Sequence, residues 1–335
     1  SGAGHRDPRM RAELLDILRC PRCGGLLELR DVHEADGEIR QATLVCAKCR
    51  GEHPIIDAIP RFVPADNYAS NFGMQWNRFR RTQLDSHTGQ PISRERFFSQ
   101  SHWSVEELKG KRVLDVGCGA GRFTEVALST GANVVAMDYS SAVDACYANH
   151  GPSDRLSVVQ ADIYRLPFAP EAFDYVYCFG VLQHTPDVRA SFLALPPMLH
   201  PGGKLAVDCY AGTPLNFLWP KYWLRPLTKR MDAERLFGLC RWMVRWLLPV
   251  SELLRRIPVV GRKLRYAVPV VNYRGVLPLD EQQQKDWSLL DTFDMLGPAH
   301  DHPKSLETVR GWFEEAGLRE IEVERPGLVV GRAVR

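Results

Sequence analysis

The sequence predicts an α/β protein: a parallel sheet with helices on both faces, a small cysteine-held module ahead of it, and a helical insertion after its fifth strand. Three observations carry that expectation. Short apolar runs alternate with helical stretches between Lys111 and Tyr210, the order that builds a parallel sheet from repeated strand-helix-strand units. Two Cys-x-x-Cys pairs, Cys20-Pro-Arg-Cys23 and Cys46-Ala-Lys-Cys49, stand near the N-terminus. A stretch rich in tryptophan and basic residues interrupts the pattern between Ala211 and Leu279. With 335 residues, the chain has room for two domains or for one with an appendage. No uncharged apolar run approaches the ~18–20 residues that cross a bilayer, so the expectation is a cytoplasmic protein.

The cysteine pairs are 22 residues apart. Each pair brings two thiolates to one ion, and two pairs complete the closed four-sulfur tetrahedron that zinc prefers. Cys20, Cys23, Cys46 and Cys49 are therefore expected to hold a structural Zn2+. Coincident free thiols or a redox pair are the competing readings. The other five cysteines are scattered through apolar contexts, as buried thiols of a reducing compartment would be.

In the sheet region, Arg112–Val116, Asn133–Met137, Leu156–Gln160, Phe173–Phe179 and Lys204–Asp208 read as five strands. The first leads into Gly117-Cys118-Gly119-Ala120-Gly121, followed by a helix from Arg122 to Thr130. A glycine-rich turn opening a helix lets backbone approach a ligand closely. Taken alone it fits a dinucleotide fold equally well. A helix over Leu306–Ala316 and strands over Leu318–Glu324 and Leu328–Val334 close the pattern, bringing the strands to seven.

The motifs VLDVGCGAGRF, MDYS, QADIYRLPF, FDYVYCFGVLQHT and LPPMLHPGGKLAVD, in this order and spacing, resemble class I S-adenosylmethionine (SAM) dependent methyltransferases. The resemblance implies a Rossmann-like seven-stranded sheet. It implies that Asp115 and the loop Gly117, Cys118, Gly119 and Gly121 hold the methionine part of SAM, and that Asp138, with Tyr139 and Ser140 beside it, holds the ribose. It places Asp162 and Ile163 beside adenine and Phe179 in the pocket wall. The segment Arg11–Pro64, through LLDILRCPRCGG, LVCAKC and PIIDAIP, is similar to the small zinc-ribbon activators of tRNA, rRNA and release-factor methyltransferases. That implies a stabilising or docking module fused to its enzyme.

The expected organisation is a zinc ribbon at 11–64, linker and cofactor-covering helices at 65–110, a core at 111–210 and 280–335, and a helical insertion or lid at 211–279. In the linker, FGMQWNRF contains Gln75 and Trp76, expected near the cofactor or else packed on the core. His184, just past the fourth strand, is the candidate general base, with a pocket-shaping histidine as the alternative. His300 and His302 form a second candidate pair on a loop. No Asn/Gln-Pro-Pro-Tyr type motif occurs, so DNA adenine and protein glutamine acceptors lose support.

Between Thr213 and Gly275 there are 13 Lys and Arg against 3 Asp and Glu, although the whole chain is only +3. A local basic block suggests an anionic partner. Leu239, Trp242, Met243, Trp246 and Leu247 fall at helical spacing and predict one apolar face. Such a helix can cover the core as a lid, or lie in a membrane interface. The expected partner is a small-molecule acceptor, anionic or lipid-linked, such as a sugar, a glycolipid intermediate or a specialised metabolite. Peripheral contact with the inner membrane face would run through 211–279. RNA is the rival partner, favoured by the ribbon. It is weakened by aromatics that follow helical periodicity instead of forming a stacking platform.

Overall fold

The structure, a computed structural model, describes residues 14–35, 37–64, 67, 69–212, 219–261 and 267–335. The N-terminal part is a meander of four antiparallel strands, β1 (Leu27–Ala35), β2 (Glu38–Cys46), β3 (Glu52–Ile56) and β4 (Ile59–Pro60), in that order. Four helices follow: α1 (Ser70–Arg78), α2 (Asp85–Thr88), α3 (Ile92–Ser101) and α4 (Val105–Leu108). The main sheet then begins with β5 (Arg112–Val116), α5 (Arg122–Ser129), β6 (Asn133–Asp138), α6 (Ala142–His150), β7 (Leu156–Gln160), β8 (Phe173–Cys178), α7 (Val188–Leu193) and β9 (Leu199–Cys209). After β9 come α8 (Pro220–Thr228), α9 (Ala233–Arg255), α10 (Glu281–Leu296) and α11 (Leu306–Glu315), then the hairpin of β10 (Arg319–Glu324) and β11 (Val329–Val334).

The seven-stranded order is β10-β11-β9-β8-β5-β6-β7. All neighbours from β7 to β9 are parallel, and β11 runs antiparallel to both β9 and β10. Successive strand residues face opposite sides, so each strand feeds two cores. Leu114, Val116 and Val176 join Phe192 and Phe313 on one face, while Val113, Val134 and Tyr177 join Phe97 and Phe123 on the other. Burial on both faces explains why these strands read as continuous apolar runs. Strand β9 begins five residues before the expected Lys204, at Leu199. The intervening Pro201-Gly202-Gly203 has the composition of a turn and hides strand from a pattern search.

The N-terminal module is built onto this sheet. Leu14, Ile17 and Leu18 enter the first core, Leu18 bridges to Phe168, and Ala169 N–H donates to Ile17 O at 2.7 Å. At the β7 edge Arg61 bridges Gln160 and Phe62 N–H donates to Gln160 O at 2.8 Å. Arg61 also reaches the Gln160 side chain at 3.0 Å and Asp144 at 2.6 Å. An edge strand left open is a template for unwanted pairing; here the module occupies it.

The insertion makes a third core. Leu236, Phe237, Cys240, Met243 and Val244 of α9 pack with Phe293 and Leu296 of α10, and Phe237 lies 5.8 Å from Phe79. This corrects the expected stripe. Met243 is buried, but Trp242 and Trp246 point outward, because the buried arc is centred on Phe237, Cys240 and Val244. The apolar content of this helix exceeds what one face holds, so period counting alone selects the wrong arc.

Candidate active site

A cavity of about 540 Å³ opens at the C-terminal ends of the strands. The strand order reverses between β5 and β8, and ligands of open α/β sheets bind outside the strand ends at such a reversal. The floor is the loop after β5. Gly117 has φ +80°, and a Cβ there would lie 2.3 Å from a Val181 methyl. At Gly119 (φ +53°) a Cβ would press 3.2 Å from the Trp76 ring. These positions exclude a side chain, which keeps backbone at the cavity wall.

Of the sequence candidates, Trp76, Gly117, Cys118, Gly119, Asp138, Tyr139, Ile163, Phe179 and His184 line this cavity. Asp138 ends β6, its carboxylate accepting from Gly119 N at 3.0 Å and from Ser140 N at 2.8 Å and Oγ at 2.7 Å. Burial pushes its carboxyl up.

Five candidates stand elsewhere. Asp115 is buried beneath the loop and accepts from Thr124 Oγ1 at 2.6 Å; burial raises it to about 7. It ties β5 to α5 instead of facing the cavity. Gln75 is buried on the inner side of α1, its Nε2 without a hydrogen-bond partner among the described residues. Gly121 (φ +89°) is the N-cap of α5, where His150 closes on it. Ser140 is spent on Asp138, and Asp162 caps the next turn through Tyr164 N at 2.9 Å.

His184 is buried between Phe72 and Tyr210, at ring distances of 5.3 and 5.4 Å. Its Nδ1 lies 3.0 Å from His300 O. A carbonyl only accepts, so Nδ1 carries a proton, and in the neutral ring Nε2 is the nitrogen with the lone pair. His300 thus acts through its backbone, and neither its side chain nor that of His302 is in the cavity wall.

The cavity also has a polar lining beyond the sequence candidates. Asp291, Asp294 and Asp301 line it together with Tyr210, Tyr273 and Lys221. Tyr273 OH donates to Asp291, Gln83 donates to the same carboxylate at 3.3 Å, and Tyr210 OH donates to Asp294 at 3.3 Å. Burial raises Asp291 to about 7. Asp301 Oδ2 pairs with Lys221 at 3.0 Å, and its buried Oδ1 has no partner among the described residues. Arg122, at the start of α5, faces the same space; burial lowers it to about 10. Asp291, Asp294 and Asp301 fall within one contiguous stretch, LDTFDMLGPAHDHP, whereas Tyr210 follows β9, Arg122 opens α5, and Lys221 and Tyr273 come from the insertion; these meet only in the fold. A weak signal existed: Asp291 and Asp294 sit one helical turn apart in Leu290-Asp291-Thr292-Phe293-Asp294.

At the N-terminal module, the Sγ atoms of Cys20, Cys23, Cys46 and Cys49 all lie within 4.8 Å of one another. Cys20–Cys49 and Cys23–Cys46 are 3.6 and 3.5 Å apart. Zinc bonded at ~2.3 Å sets tetrahedral sulfurs ~3.8 Å apart, so the cluster needs little adjustment to hold one. A Cβ at Gly25 would lie 2.8 Å from Cys46 Sγ, which reserves that position for glycine.

Residues 114–207 match the family model described as a methyltransferase domain. Over 133 residues the chain is 32% identical to the sterol 24-C-methyltransferase of Pneumocystis carinii, covering 38% of this chain and 35% of that protein. It is 36% identical over 100 residues to a ubiquinone biosynthesis O-methyltransferase of Coxiella burnetii, covering 29% of this chain and 43% of that one. The Xanthomonas euvesicatoria enzyme of the same name is 38% identical over 118 residues, covering 33% and 48%. Among solved structures, an S-adenosylmethionine dependent methyltransferase from Mesorhizobium loti aligns at a TM-score of 0.41 and 17% identity, over 68% of this chain and 93% of that chain. The matched stretches span less than half the length of these curated relatives. The stretch that matches the methyltransferase-domain model thus runs from β5 to β9, with other elements built around it.

Proposed function

We propose that the chain transfers a methyl group from SAM to a small-molecule acceptor that presents hydroxyl or amino groups, such as a sugar or a sugar-bearing lipid. The observation that carries this reading is the set of carboxylates lining the cavity. Gly117, Cys118 and Gly119 would hold the methionine part of SAM, Asp138 the ribose, and Tyr139 and Ile163 the adenine. Asp291, Asp294 and Asp301 line the same cavity, beside Arg96, Arg122 and Lys221. Carboxylates set among cations in this way favour an acceptor molecule rich in hydroxyl or amino groups.

SAM, when bound, supplies a methyl group on a sulfonium, already an excellent leaving group. What remains for the protein is alignment and removal of one proton. His184 Nε2 has its lone pair free for the O–H or N–H proton of the acceptor, while its Nδ1–H is fixed on His300 O. The aspartate wall would orient the remaining hydroxyls. We further propose that the four cysteines bind one structural zinc: four sulfurs leave no position for water or substrate.

Calorimetry tests the donor site. Asp138→Ala should weaken SAM binding by about 1–3 kcal/mol, and Asp115→Asn should leave it intact. With a hydroxylated acceptor in hand, His184→Ala should lower kcat by roughly 10²–10⁴-fold at unchanged SAM affinity. Unchanged SAM affinity in Asp138→Ala, or radiolabelled methyl appearing in RNA instead of small molecules, would overturn the reading.

A further inference from the structure

We propose that the outer face of the insertion docks on an anionic lipid bilayer. The insertion's cations divide sharply. Lys221 and Arg225 turn inward to Asp301, while Lys229, Arg230, Arg235, Arg241, Arg245 and Arg256 are exposed. None of these six lines the cavity, so the outward charge serves something else.

Apolar side chains lie among those cations. Trp242 and Trp246 are 56% and 57% exposed, Val250 45%, Leu253 66% and Ile257 42%. The first four fall on successive turns of one side of α9, opposite the arc of Phe237, Cys240 and Val244 that packs inward, and Ile257 follows just past the helix end at Arg255. Beyond the helix, Val260 N–H closes on Pro258 O at 2.8 Å. Val259 stands at the apex of this tight turn with φ +67°, 99% exposed. A β-branched residue rarely adopts that conformation. On α8, Leu227 is 72% exposed. Monomeric proteins rarely leave contiguous apolar surface of this extent in water.

The charge pattern selects the occupant. Every acidic residue of α9 and its cap is engaged off the stripe: Asp232 caps the helix, Glu234 pairs with Arg78, and Glu252 pairs with Arg255. A stripe of tryptophan and aliphatic residues flanked only by arginine complements a surface with an apolar interior and anionic headgroups. From Trp242 to Ile257 the stripe is ~22 Å long, and no helix among the described residues is long and apolar enough to cross a membrane. It would therefore lie in the plane of the interface. Uptake of an amphipathic acceptor from that bilayer would rest on the methyl-transfer reading; the docking itself does not.

The test is cosedimentation of the full chain with phosphatidylcholine vesicles, with and without phosphatidylglycerol. The expected result is binding only to the anionic vesicles, declining with added salt. Arg241→Glu with Arg245→Glu should abolish it, and Trp242→Ser with Trp246→Ser should weaken it about tenfold or more. SAM affinity should be unchanged in both variants, which separates this proposal from the donor site. No binding to anionic vesicles would overturn it, as would indifference to both double substitutions. So would a concentration-dependent dimer lost in the tryptophan variant, which would show a second copy on this face, or RNA binding tighter than vesicle binding.

Discussion

The N-terminal module and the insertion are both additions to the main sheet, and they place their cores differently. The module sends Leu14, Ile17 and Leu18 into a core of the main sheet, and Leu44 and Ile59 are fully buried, while Leu26, Val32 and Ile56 stay exposed. Its own interior is small, and its second fastening is the cysteine cluster. The insertion has a core of its own, centred on Phe237 and Phe293, yet leaves four tryptophans outside, Trp219, Trp223, Trp242 and Trp246. A module with little core depends on a cross-link for its shape, whereas a helix bedded on a core can present a second face without losing its fold.

Loss of the proposed zinc should have the largest effect. Cys46→Ser, or chelation, would remove a metal whose binding free energy is also folding free energy. The expected loss is several kcal/mol, with residues 14–64 becoming protease-sensitive while SAM still binds; limited proteolysis and calorimetry read the two halves. Met243→Ala, on the inner arc of α9, should cost about 2–5 kcal/mol in chemical denaturation, the range of a truncated core side chain. Removing the tether on the other side is milder. Arg61→Ala gives up the contacts to Gln160 and Asp144 and should lower stability by about 1–3 kcal/mol. On the outer arc, Trp242→Ser should change stability by under about 0.5 kcal/mol, although it removes a far larger side chain than Met243→Ala does. A Trp242→Ser loss equal to that of Met243→Ala would mean that the outer face is packed, and would erase the contrast.

Legibility in the sequence followed the same divide between local and distant. Strand β5, the glycine loop and the start of α5 are contiguous, so one apolar run and three glycines located the floor of the cavity within a residue or two. The cysteine cluster was legible because two short pairs need only one encounter. Asp115 was misplaced by one step of strand alternation: it precedes the loop, yet its side chain turns inward to Thr124. Asp291, Asp294 and Asp301 lie in one contiguous stretch, LDTFDMLGPAHDHP, but nothing local shows that their carboxylates share a cavity wall with Lys221 of the insertion.

By itself, the sequence determined what depends on neighbours along the chain: the alternation that orders the sheet, the glycines that admit backbone to the cavity, and the paired cysteines. Only the tertiary structure decided which arc of α9 is inside, which proton His184 keeps, and which carboxylates face the cavity. The physical reason is that these depend on what packs opposite. Trp242 is outside because Phe237 and Met243 had α10 and Phe79 to pack against. His184 presents Nε2 because the His300 carbonyl, 116 residues away in the chain, takes the hydrogen of Nδ1.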